Sequence, residues 1–124
     1  MLVDSWAWVE MFERTPLGIA ARRAIQGKEL HTSVLSVAEV SNWCAREDRD
    51  PDEYVDAIKK ASTLLFFDAE MAQEAGTKLS HLRKISPGMG MIDALIYAQA
   101  VSAGLPLLTG DPHFKNLPGV QFVG

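Results

Sequence analysis

Cysteine and histidine are scarce in this chain, which has one cysteine, Cys44, and three histidines among 124 residues. A single cysteine cannot form an intramolecular disulfide, and such usage is typical of a reducing, cytoplasmic setting. Cys44 falls on the apolar side of a predicted helix, where a buried structural thiol is more common than a reactive one. The sequence therefore offers no cluster of cysteine and histidine residues for a zinc site.

Long hydrophobic runs are also missing, although 48% of the residues are hydrophobic. No apolar run approaches the ~18 residues that a membrane-spanning helix needs. The first four residues lack the charged and apolar regions of a secretory signal, so we expect a cytoplasmic protein without a membrane segment. The formal net charge of −4 lacks the lysine and arginine excess of proteins that bind nucleic acid non-specifically. A nucleic-acid substrate held near metal ions remains compatible with this charge.

Three common chemical motifs are absent: the phosphate-binding loop GxxxxGK[ST], the dinucleotide motif GxGxxG and the nucleophile elbow GxSxG. Chemistry driven by a bound nucleotide therefore lacks its usual binding loop. A length of 124 residues is that of one domain, and we expect a single domain over residues 1–124.

The chain alternates short apolar runs with segments that have apolar residues at helical spacing. The predicted strands are residues 1–3, 31–35, 64–67, 105–109 and 119–123. The second predicted helix, which begins at Thr15 and Pro16, is expected to bury one face. That face comprises Leu17, Ala20, Ala21, Ala24 and Ile25. The alternation predicts the α/β class, with a mainly parallel sheet between two layers of helices.

Residues 91–103 form the most apolar of the predicted helices. Beyond its first turn only Gln99 and Ser102 are polar, and a helix that is apolar nearly all round is expected inside a protein. Gly104 suits the position just past a helix end, and Pro106 cannot continue the helix. We therefore expect a buried central helix followed directly by a buried strand.

Four acidic residues occupy related places in this pattern. Asp4 and Asp111 directly follow predicted strands. Glu39 and Asp93 lie in the first turns of predicted helices. The functional crevice of a parallel α/β sheet lies beyond the carboxyl ends of its strands, so the four side chains are expected to meet there. Their like charges would raise each other's pKa values unless a divalent cation compensates them, and oxygen ligands favour Mg²⁺ or Mn²⁺.

Each of these carboxylates also has a purely structural interpretation. Asp4 and Asp93 can cap their helices or complement the positive helix ends. Ser36 and Glu39 match a Ser-x-x-Glu capping box, which taken alone is the more common role of such a glutamate. Asp111 followed by proline commonly opens a turn. One shared purpose explains four such residues at one sheet edge better than four separate accidents do.

The histidines and tryptophans offer weaker signals. His31 lies in a predicted strand, His81 lies on a basic helix surface, and only His113 is near an acidic residue. We interpret all three histidines mainly as structural or surface residues. The three tryptophans are mainly core or interface residues, because no basic residues alternate with them as a base-stacking surface requires.

These motifs together resemble the PIN-domain ribonucleases. The resemblance rests on Val-Asp-Ser at residues 3–5, Glu39 after a short strand, Ile-Asp-Ala-Leu-Ile at 92–96 and Leu-Thr-Gly-Asp-Pro-His-Phe at 108–114. It spans the whole chain and is strongest with the small VapC-type toxins of toxin-antitoxin pairs. It implies a PIN-like three-layer α/β/α sandwich and a Mg²⁺-dependent endoribonuclease. The metal-binding and catalytic residues that it implies are Asp4, Glu39, Asp93 and Asp111, with Ser5 and Thr109 supporting them by hydrogen bonds. His113 stands where relatives often have a further aspartate, so the number of metal ions, one or two, stays open.

The implied reaction is metal-assisted hydrolysis of an RNA phosphodiester bond without a covalent enzyme intermediate. Candidate RNA contacts are Lys78, Arg83 and Lys84, at the basic end of a predicted helix. They precede a connection, residues 85–90, that contains Pro87 and two glycines and is predicted to be mobile. Each basic residue taken singly is also typical of a solvated helix face.

Other classes of protein also gather acidic residues at a sheet edge. A receiver-like phosphoacceptor domain needs an aspartate after its middle strand, where this chain has Ser33 and Ser36. A haloacid-dehalogenase-like phosphatase needs Asp-x-Asp, which the sequence at residues 4–6 does not supply. A non-catalytic α/β binding module, whose acidic residues only cap helices, is the remaining alternative.

The first predicted helix concentrates large apolar residues, namely Trp6, Trp8, Met11 and Phe12. A helix of this length can direct only part of its circumference into one core, so we expect some of this apolar surface to remain exposed as an interaction site. For Trp8, a lone surface ring is an equally good interpretation. The resemblance implies a homodimer and an antitoxin whose amphipathic segment blocks the acidic site.

Overall fold

The computed structural model describes all 124 residues. Five short strands form one sheet: β1 (Leu2–Val3), β2 (His31–Ser33), β3 (Thr63–Leu65), β4 (Leu107–Thr109) and β5 (Val120–Phe122). Their spatial order is β3-β2-β1-β4-β5, and all neighbouring strands run parallel. The predicted parallel sheet is confirmed, and all carboxyl ends of the strands meet at one edge.

Six helices and a one-turn 3-10 helix (Pro112–Phe114) connect the strands. The helices are α1 (Ser5–Glu13), α2 (Pro16–Ile25), α3 (Val34–Arg46), α4 (Pro51–Ala61), α5 (Ala69–Ile85) and α6 (Met91–Ala103). The side chain of Thr15 caps α2, at the helix start that the sequence predicts, and those of Asp50 and Asp68 cap α4 and α5. None of the helices combines the length and the apolar character needed to cross a membrane.

Successive strand residues point to opposite faces of the sheet, and each face carries its own core. Val3 and Leu108 pack with residues of α1, α2, α3 and α4. Leu2 and Leu107 pack with residues of α5 and α6 on the other face. The sheet therefore lies between two layers of helices, which confirms the predicted three-layer sandwich. Cys44 is fully buried in the first core, as predicted.

The aromatic residues of α1 face inward, so the predicted exposed patch on this helix is wrong. Trp8 is only 5% exposed, and its Nε1 donates to Thr32 Oγ1 at 3.1 Å. Phe12 stacks on Trp8 and on Trp43, with ring centroids 5.9 and 6.2 Å apart. Both α2 and α3 pack against α1, so neighbours on more than one side cover its apolar circumference.

The buried face of α2 differs from the predicted one. Leu17 is 41% exposed and Ala20 is exposed, whereas Gly18 and Ala21 are buried. A Cβ on Gly18 would lie 2.0 Å from the backbone carbonyl oxygen of Glu10, so only glycine permits this close approach. The helix therefore approaches α1 most closely at Gly18. Of the predicted face, Ala21, Ala24 and Ile25 pack into the core, whereas Leu17 and Ala20 do not.

Helix α6 is buried on one side only, so the prediction of burial nearly all round is wrong. Met91, Ile92 and Val101 are 48%, 39% and 56% exposed. Gln99 is 1% exposed instead, and its Nε2 donates to the Phe66 carbonyl oxygen at 3.3 Å. That hydrogen bond allows a polar side chain to enter the core. Helix α5 is the one helix with extensive contacts to α6, and no further layer covers the outer face of α6.

Candidate functional site

The carboxylate of Asp4 lies at the carboxyl end of β1 and is 4% exposed. Asp4 occupies the N-cap position of α1, but its side chain forms no capping hydrogen bond. The Thr109 hydroxyl, at the end of the neighbouring strand β4, donates to Asp4 Oδ2 at 2.7 Å. The capping interpretation is therefore wrong for this residue, and the hydrogen bond expected from Thr109 is present.

Glu39 reaches the site from α3, which begins earlier than predicted. Ser33 caps this helix by accepting from the Leu35 N–H at 3.2 Å, so the predicted Ser36–Glu39 capping box is wrong. Ser36 is fully buried within the helix, 2.9 Å from the Ser5 hydroxyl. Ser5 Oγ donates to Glu39 Oε1 at 2.5 Å. Glu39 is therefore tied to the start of α1 and not to the start of its own helix.

Asp111 is fixed by the loop that follows β4. Its backbone N–H donates to Thr109 Oγ1 at 3.1 Å, and its Oδ1 accepts from the His113 backbone N–H at 2.9 Å. Asp111 thus caps the 3-10 helix, as its interpretation as a turn opener predicts. That role uses one lone pair of Oδ1 and leaves the carboxylate able to bind another ligand.

Asp93, Asp111 and His113 converge on the open side of the site. One potential ligand atom from each of these residues lies within 4.8 Å of the other two. Asp4 and Glu39 are not within this group of mutually close atoms. The interpretation of His113 as a structural or surface residue missed this contact. The available signal was its position two residues after Asp111, in a loop at the carboxyl edge of the sheet.

Burial and mutual repulsion disfavour the ionised forms of two carboxyl groups. Burial raises the pKa of Asp4 to about 7, with additional repulsion from Glu39 and Asp93. Burial also raises the pKa of Asp93, followed by repulsion from Asp111 and from Glu39. Each of the four predicted carboxylates therefore lies close enough to interact electrostatically with at least one of the others. The charge conflict expected from the sequence is present at this edge of the sheet.

The chemistry of the donor set fits a divalent cation. The side chains that converge offer mainly carboxylate oxygens, which suit Mg²⁺ or Mn²⁺. A cation held by Asp93 and Asp111 would also offset the repulsion that raises the pKa of Asp93. The residues present are thus compatible with a bound metal ion.

Two of the three basic residues predicted to contact RNA have other partners in this structure. Lys78 pairs with Glu74 at 2.7 Å on the exposed side of α5. Arg83 Nε donates to the carbonyl oxygen of Met89 at 2.8 Å, and Met89 is fully buried. Lys84 is exposed. Arg83 and Met89 therefore anchor the connection before α6 that the sequence predicts to be mobile.

A contact that no sequence motif reveals joins α1 to the loop that carries Asp111. A Cβ on Gly110 would lie 2.3 Å from Trp6 Cη2 and 2.5 Å from the Val123 carbonyl oxygen. The indole of Trp6 therefore lies directly against the backbone between Thr109 and Asp111. In the sequence Gly110 has the character of an ordinary turn residue, and its packing role depends on a ring more than a hundred residues earlier.

Solved structures of similar fold come from several bacteria. A toxin-antitoxin complex from Klebsiella pneumoniae matches with a TM-score of 0.75 and 18% identity, over 99% of this chain and 97% of that chain. VapBC2 from Rickettsia felis, bound to a promoter DNA fragment, matches with a TM-score of 0.72 and 16% identity, over 98% and 95%. VapC20 from Mycobacterium tuberculosis, a toxin that cleaves the sarcin-ricin loop, matches with a TM-score of 0.71 and 15% identity, over 85% and 84%. At these identities the likeness establishes the fold.

Comparison by sequence gives the family. A search of curated proteins returns no match. The family description of the PIN domain matches residues 1–120, which is nearly the whole chain. The motifs that resemble this family, at residues 3–5, 92–96 and 108–114, all fall within the matched range. The chain therefore belongs to the PIN-domain family.

Proposed function

We propose that the protein is a metal-dependent endoribonuclease in which residues 1–124 act as one domain. The observation that carries the proposal is the convergence of Asp93, Asp111 and His113 within 4.8 Å. Asp4, whose pKa burial raises to about 7, lies close enough to Asp93 to feel its charge. Buried carboxylates without a cationic side chain either bind a proton or need another source of positive charge. Membership of the PIN-domain family supports hydrolysis of nucleic acid, because proteins of this family are nucleases.

The proposed metal-binding and catalytic residues are Asp4, Glu39, Asp93 and Asp111. When bound, Mg²⁺ or Mn²⁺ lowers the pKa of a water molecule and neutralises charge on the scissile phosphate. The partly exposed carboxylates of Asp93 and Asp111 are suited to hold the ion and to orient the attacking water. Asp4 adds negative charge beneath them, and the Thr109 hydroxyl fixes its orientation. Glu39 is oriented in the same way by Ser5.

RNA is the proposed substrate, and the cytoplasm is the proposed location of the protein. Lys78 and Lys84 remain candidate phosphate contacts because both are exposed on α5. The salt bridge from Lys78 to Glu74 is a surface i,i+4 pair, which phosphate oxygens can replace at small cost. Arg83 has the additional role of holding the connection before α6 through Met89.

Incubation with total RNA tests the nuclease proposal. The purified protein is incubated with Mg²⁺, with Mn²⁺ or with a chelator, and the new RNA ends are mapped by sequencing. We expect cleavage at discrete internal positions with either metal and no cleavage with the chelator. Intact RNA with both metals, or degradation that the chelator does not prevent, would contradict the proposal.

Binding of the metal also predicts a thermal response. A ligand that binds only the folded state at about 100 times its Kd stabilises the protein by ~2.7 kcal/mol. Titration with Mg²⁺ or Mn²⁺ in a thermal melt is therefore expected to raise the Tm. Asp4→Asn is expected to weaken that response, and the exposed Asp56→Asn is the control that keeps it. An unchanged Tm of the wild type at millimolar metal would contradict a metal site.

We further propose that the protein is the toxin of a toxin-antitoxin pair and forms a homodimer. Similar solved structures include toxin-antitoxin complexes, which supports a protein partner. The inward packing of Trp8 leaves α1 without an exposed patch, so the candidate partner surfaces are elsewhere. They are Leu17 and Ile19 on α2, at 41% and 49% exposure, and the outer face of α6 around Val101.

Co-expression with the product of the adjacent small open reading frame tests the partner proposal. We expect co-purification and loss of RNA cleavage in the complex. Ile19→Glu and Val101→Glu alter the two candidate surfaces one at a time. Each variant is expected to weaken one interaction, antitoxin binding or dimerisation, and to spare the other. Pull-down measures antitoxin binding, and light scattering measures dimerisation. A monomer that binds no neighbouring gene product would contradict the toxin assignment and leave the nuclease proposal standing.

A further inference from the structure

His113 makes a contact that its role in the turn does not require. Its side chain is 43% exposed, and its Nδ1 lies 2.9 Å from Asp111 Oδ1. The backbone N–H of His113 donates to the same oxygen, also at 2.9 Å. That backbone hydrogen bond is sufficient to cap the 3-10 helix and to hold the carboxylate. The turn therefore does not depend on the contact between the imidazole and Asp111.

The spacing of Nδ1 and Oδ1 suits two neighbouring ligands of one metal ion. Around an octahedral ion with bonds of about 2.1 Å, adjacent ligand atoms lie roughly 3.0 Å apart. The separation of 2.9 Å between His113 Nδ1 and Asp111 Oδ1 is close to that value, and it is also the distance of a hydrogen bond between the two atoms. The tautomer with its proton on Nε2 leaves the Nδ1 lone pair for a metal ion. The other ring nitrogen, Nε2, faces Gly88, where a Cβ would lie 3.5 Å from it. Nδ1 is thus the nitrogen directed toward the acidic group.

We infer that His113 is a nitrogen ligand of the metal ion and gives this site a preference for Mn²⁺ over Mg²⁺. The inference rests on the proposed metal-dependent function and specifies its ion more closely. Mg²⁺ binds oxygen ligands and water almost exclusively, whereas Mn²⁺ also accepts imidazole. Zinc is a poorer match, because its sites are usually rich in nitrogen and sulfur and this site has one imidazole among carboxylates.

Pulsed electron paramagnetic resonance of Mn²⁺ bound to the full chain detects a directly coordinated nitrogen. We expect modulation by ¹⁴N in the wild type and its loss in His113→Asp. His81→Asp is the matched control, because His81 is exposed on α5 and far from the acidic residues in sequence. Both variants keep every backbone N–H, including the one that holds Asp111. Circular dichroism of each variant confirms that it is folded.

Calorimetric titration with Mn²⁺ and with Mg²⁺ provides a second measurement. His113→Asp replaces a nitrogen ligand by an oxygen ligand, so the Mn²⁺ affinity should fall relative to the Mg²⁺ affinity by roughly tenfold or more. The Mg²⁺ affinity itself should be kept or increased. His81→Asp should leave the ratio of the two affinities unchanged.

The possible outcomes separate this inference from the proposed function. Mn²⁺ binding without a nitrogen signal, together with an affinity ratio that His113→Asp does not change, overturns the role of His113 and leaves a metal site made of carboxylates. Failure of the wild type to bind either ion overturns both the inference and the metal-dependent function. RNA cleavage by His113→Asp in Mg²⁺, with the nitrogen signal lost, supports both.

Discussion

The two halves of the acidic site are held in different ways. In the inner half, Asp4 and Glu39 accept hydrogen bonds from the hydroxyls of Thr109 and Ser5. In the outer half, Asp93, Asp111 and His113 place ligand atoms within 4.8 Å of one another. Asp4 is 4% exposed, whereas the side chains of Asp111 and His113 are 26% and 43% exposed. The inner half is thus buried and held by hydrogen bonds, and the outer half is the part that solvent can reach.

The difference teaches why the metal-free site is suited to attract a cation. Neutral hydroxyls orient the carboxylates of the inner half without cancelling their charge, and neither Lys nor Arg forms a salt bridge with any of the four carboxylates. The pKa of Asp4, raised by burial to about 7, is the result. A lysine in the same place would satisfy the charge permanently and remove the attraction for a cation. In the proposed metal site, the inner half therefore supplies electrostatic attraction for the cation, and the outer half supplies accessible ligand atoms.

Removing a ligand from the outer half is expected to have the largest effect. Asp93→Asn keeps the size of the side chain but removes the charge, so RNA cleavage should fall by at least about a hundredfold with the fold intact. Asp56→Asn, an exposed change on α4, should cleave at the wild-type rate. The measurement is the initial rate on a mapped RNA site, with circular dichroism to confirm folding. Cleavage by Asp93→Asn at the wild-type rate would remove this residue from the proposed set.

Removing the charge from the inner half should stabilise the metal-free protein. The pKa of Asp4 is raised from 3.8 to about 7 in the folded state, so ionisation opposes folding. The cost is absent below about pH 4, grows as the pH rises toward 7 and then stays constant, at up to about 4 kcal/mol. Asp4→Asn lacks this cost and can still accept from Thr109. With a chelator present, urea unfolding should therefore show a variant that gains stability over the wild type between pH 5 and pH 8.

A pH-independent difference between Asp4→Asn and the wild type would contradict the burial of an unneutralised carboxylate. Asp56→Asn is again the control, because the exposed Asp56 gains no comparable stability from the same change. Asp4→Asn is thus expected to be more stable than the wild type without metal and to bind metal more weakly. These opposite effects would separate the cost of burying the Asp4 carboxylate from its contribution to metal binding.

The Trp6–Gly110 contact joins the two halves, and a methyl group at Gly110 should disturb both. A Cβ there would lie 2.3 Å from Trp6 and 2.5 Å from the Val123 carbonyl oxygen, so Gly110→Ala should destabilise the protein by about 1–3 kcal/mol. Gly76→Ala is the matched control, because a Cβ there meets nothing within 4 Å. In a helix interior that change should stabilise by up to about 1 kcal/mol. Urea unfolding of both variants measures the contrast, and equal effects would contradict the packing role of Gly110.

The sequence predicted the layers of the fold and their order because those depend on local patterns. Local sequence patterns indicated the strand-helix alternation, helix caps such as Thr15 and Asp68, and the end of α6 at Gly104. The exposed faces were not, because they depend on which neighbours cover a helix. Gly18 allows α2 to lie against α1, while the outer side of α6 has no layer above it. The residue pattern of a single helix does not show which neighbours will cover it.

The site shows the same division between local and distant information. The places of Asp4 and Asp111 followed from the strands that precede them, and the structure brings both to the same edge of the sheet. The capping box at Glu39 failed because Ser33 was an equally good cap three residues earlier, and sequence alone does not choose between two serines. His113 was missed because its contact depends on how the loop after β4 turns back toward α6. The half of the site to which a residue belongs depends on the tertiary structure and not on the local sequence.

The smallest expected effect comes from a single hydroxyl of the inner half. Ser5→Ala removes the donor to Glu39 Oε1 but leaves the hydrogen bond from Thr109 to Asp4 in place. Ser5→Ala also removes the contact with the buried Ser36 hydroxyl, so the protein should be destabilised by about 1–2 kcal/mol. Ser41→Ala is the control, because the Ser41 hydroxyl bonds only to the Val37 carbonyl oxygen within the same helix.

If the inner half only orients its carboxylates, Ser5→Ala should lower metal affinity by roughly tenfold while Mn²⁺ keeps its nitrogen ligand in the outer half. Calorimetry and the ¹⁴N modulation measure the two effects on one sample. Loss of the nitrogen signal in Ser5→Ala would show that a change at Glu39 alters metal coordination by His113. The two halves of the site would then be structurally coupled. Unchanged affinity would instead show that Glu39 needs no orientation from Ser5, so that the outer half alone determines how the ion is bound.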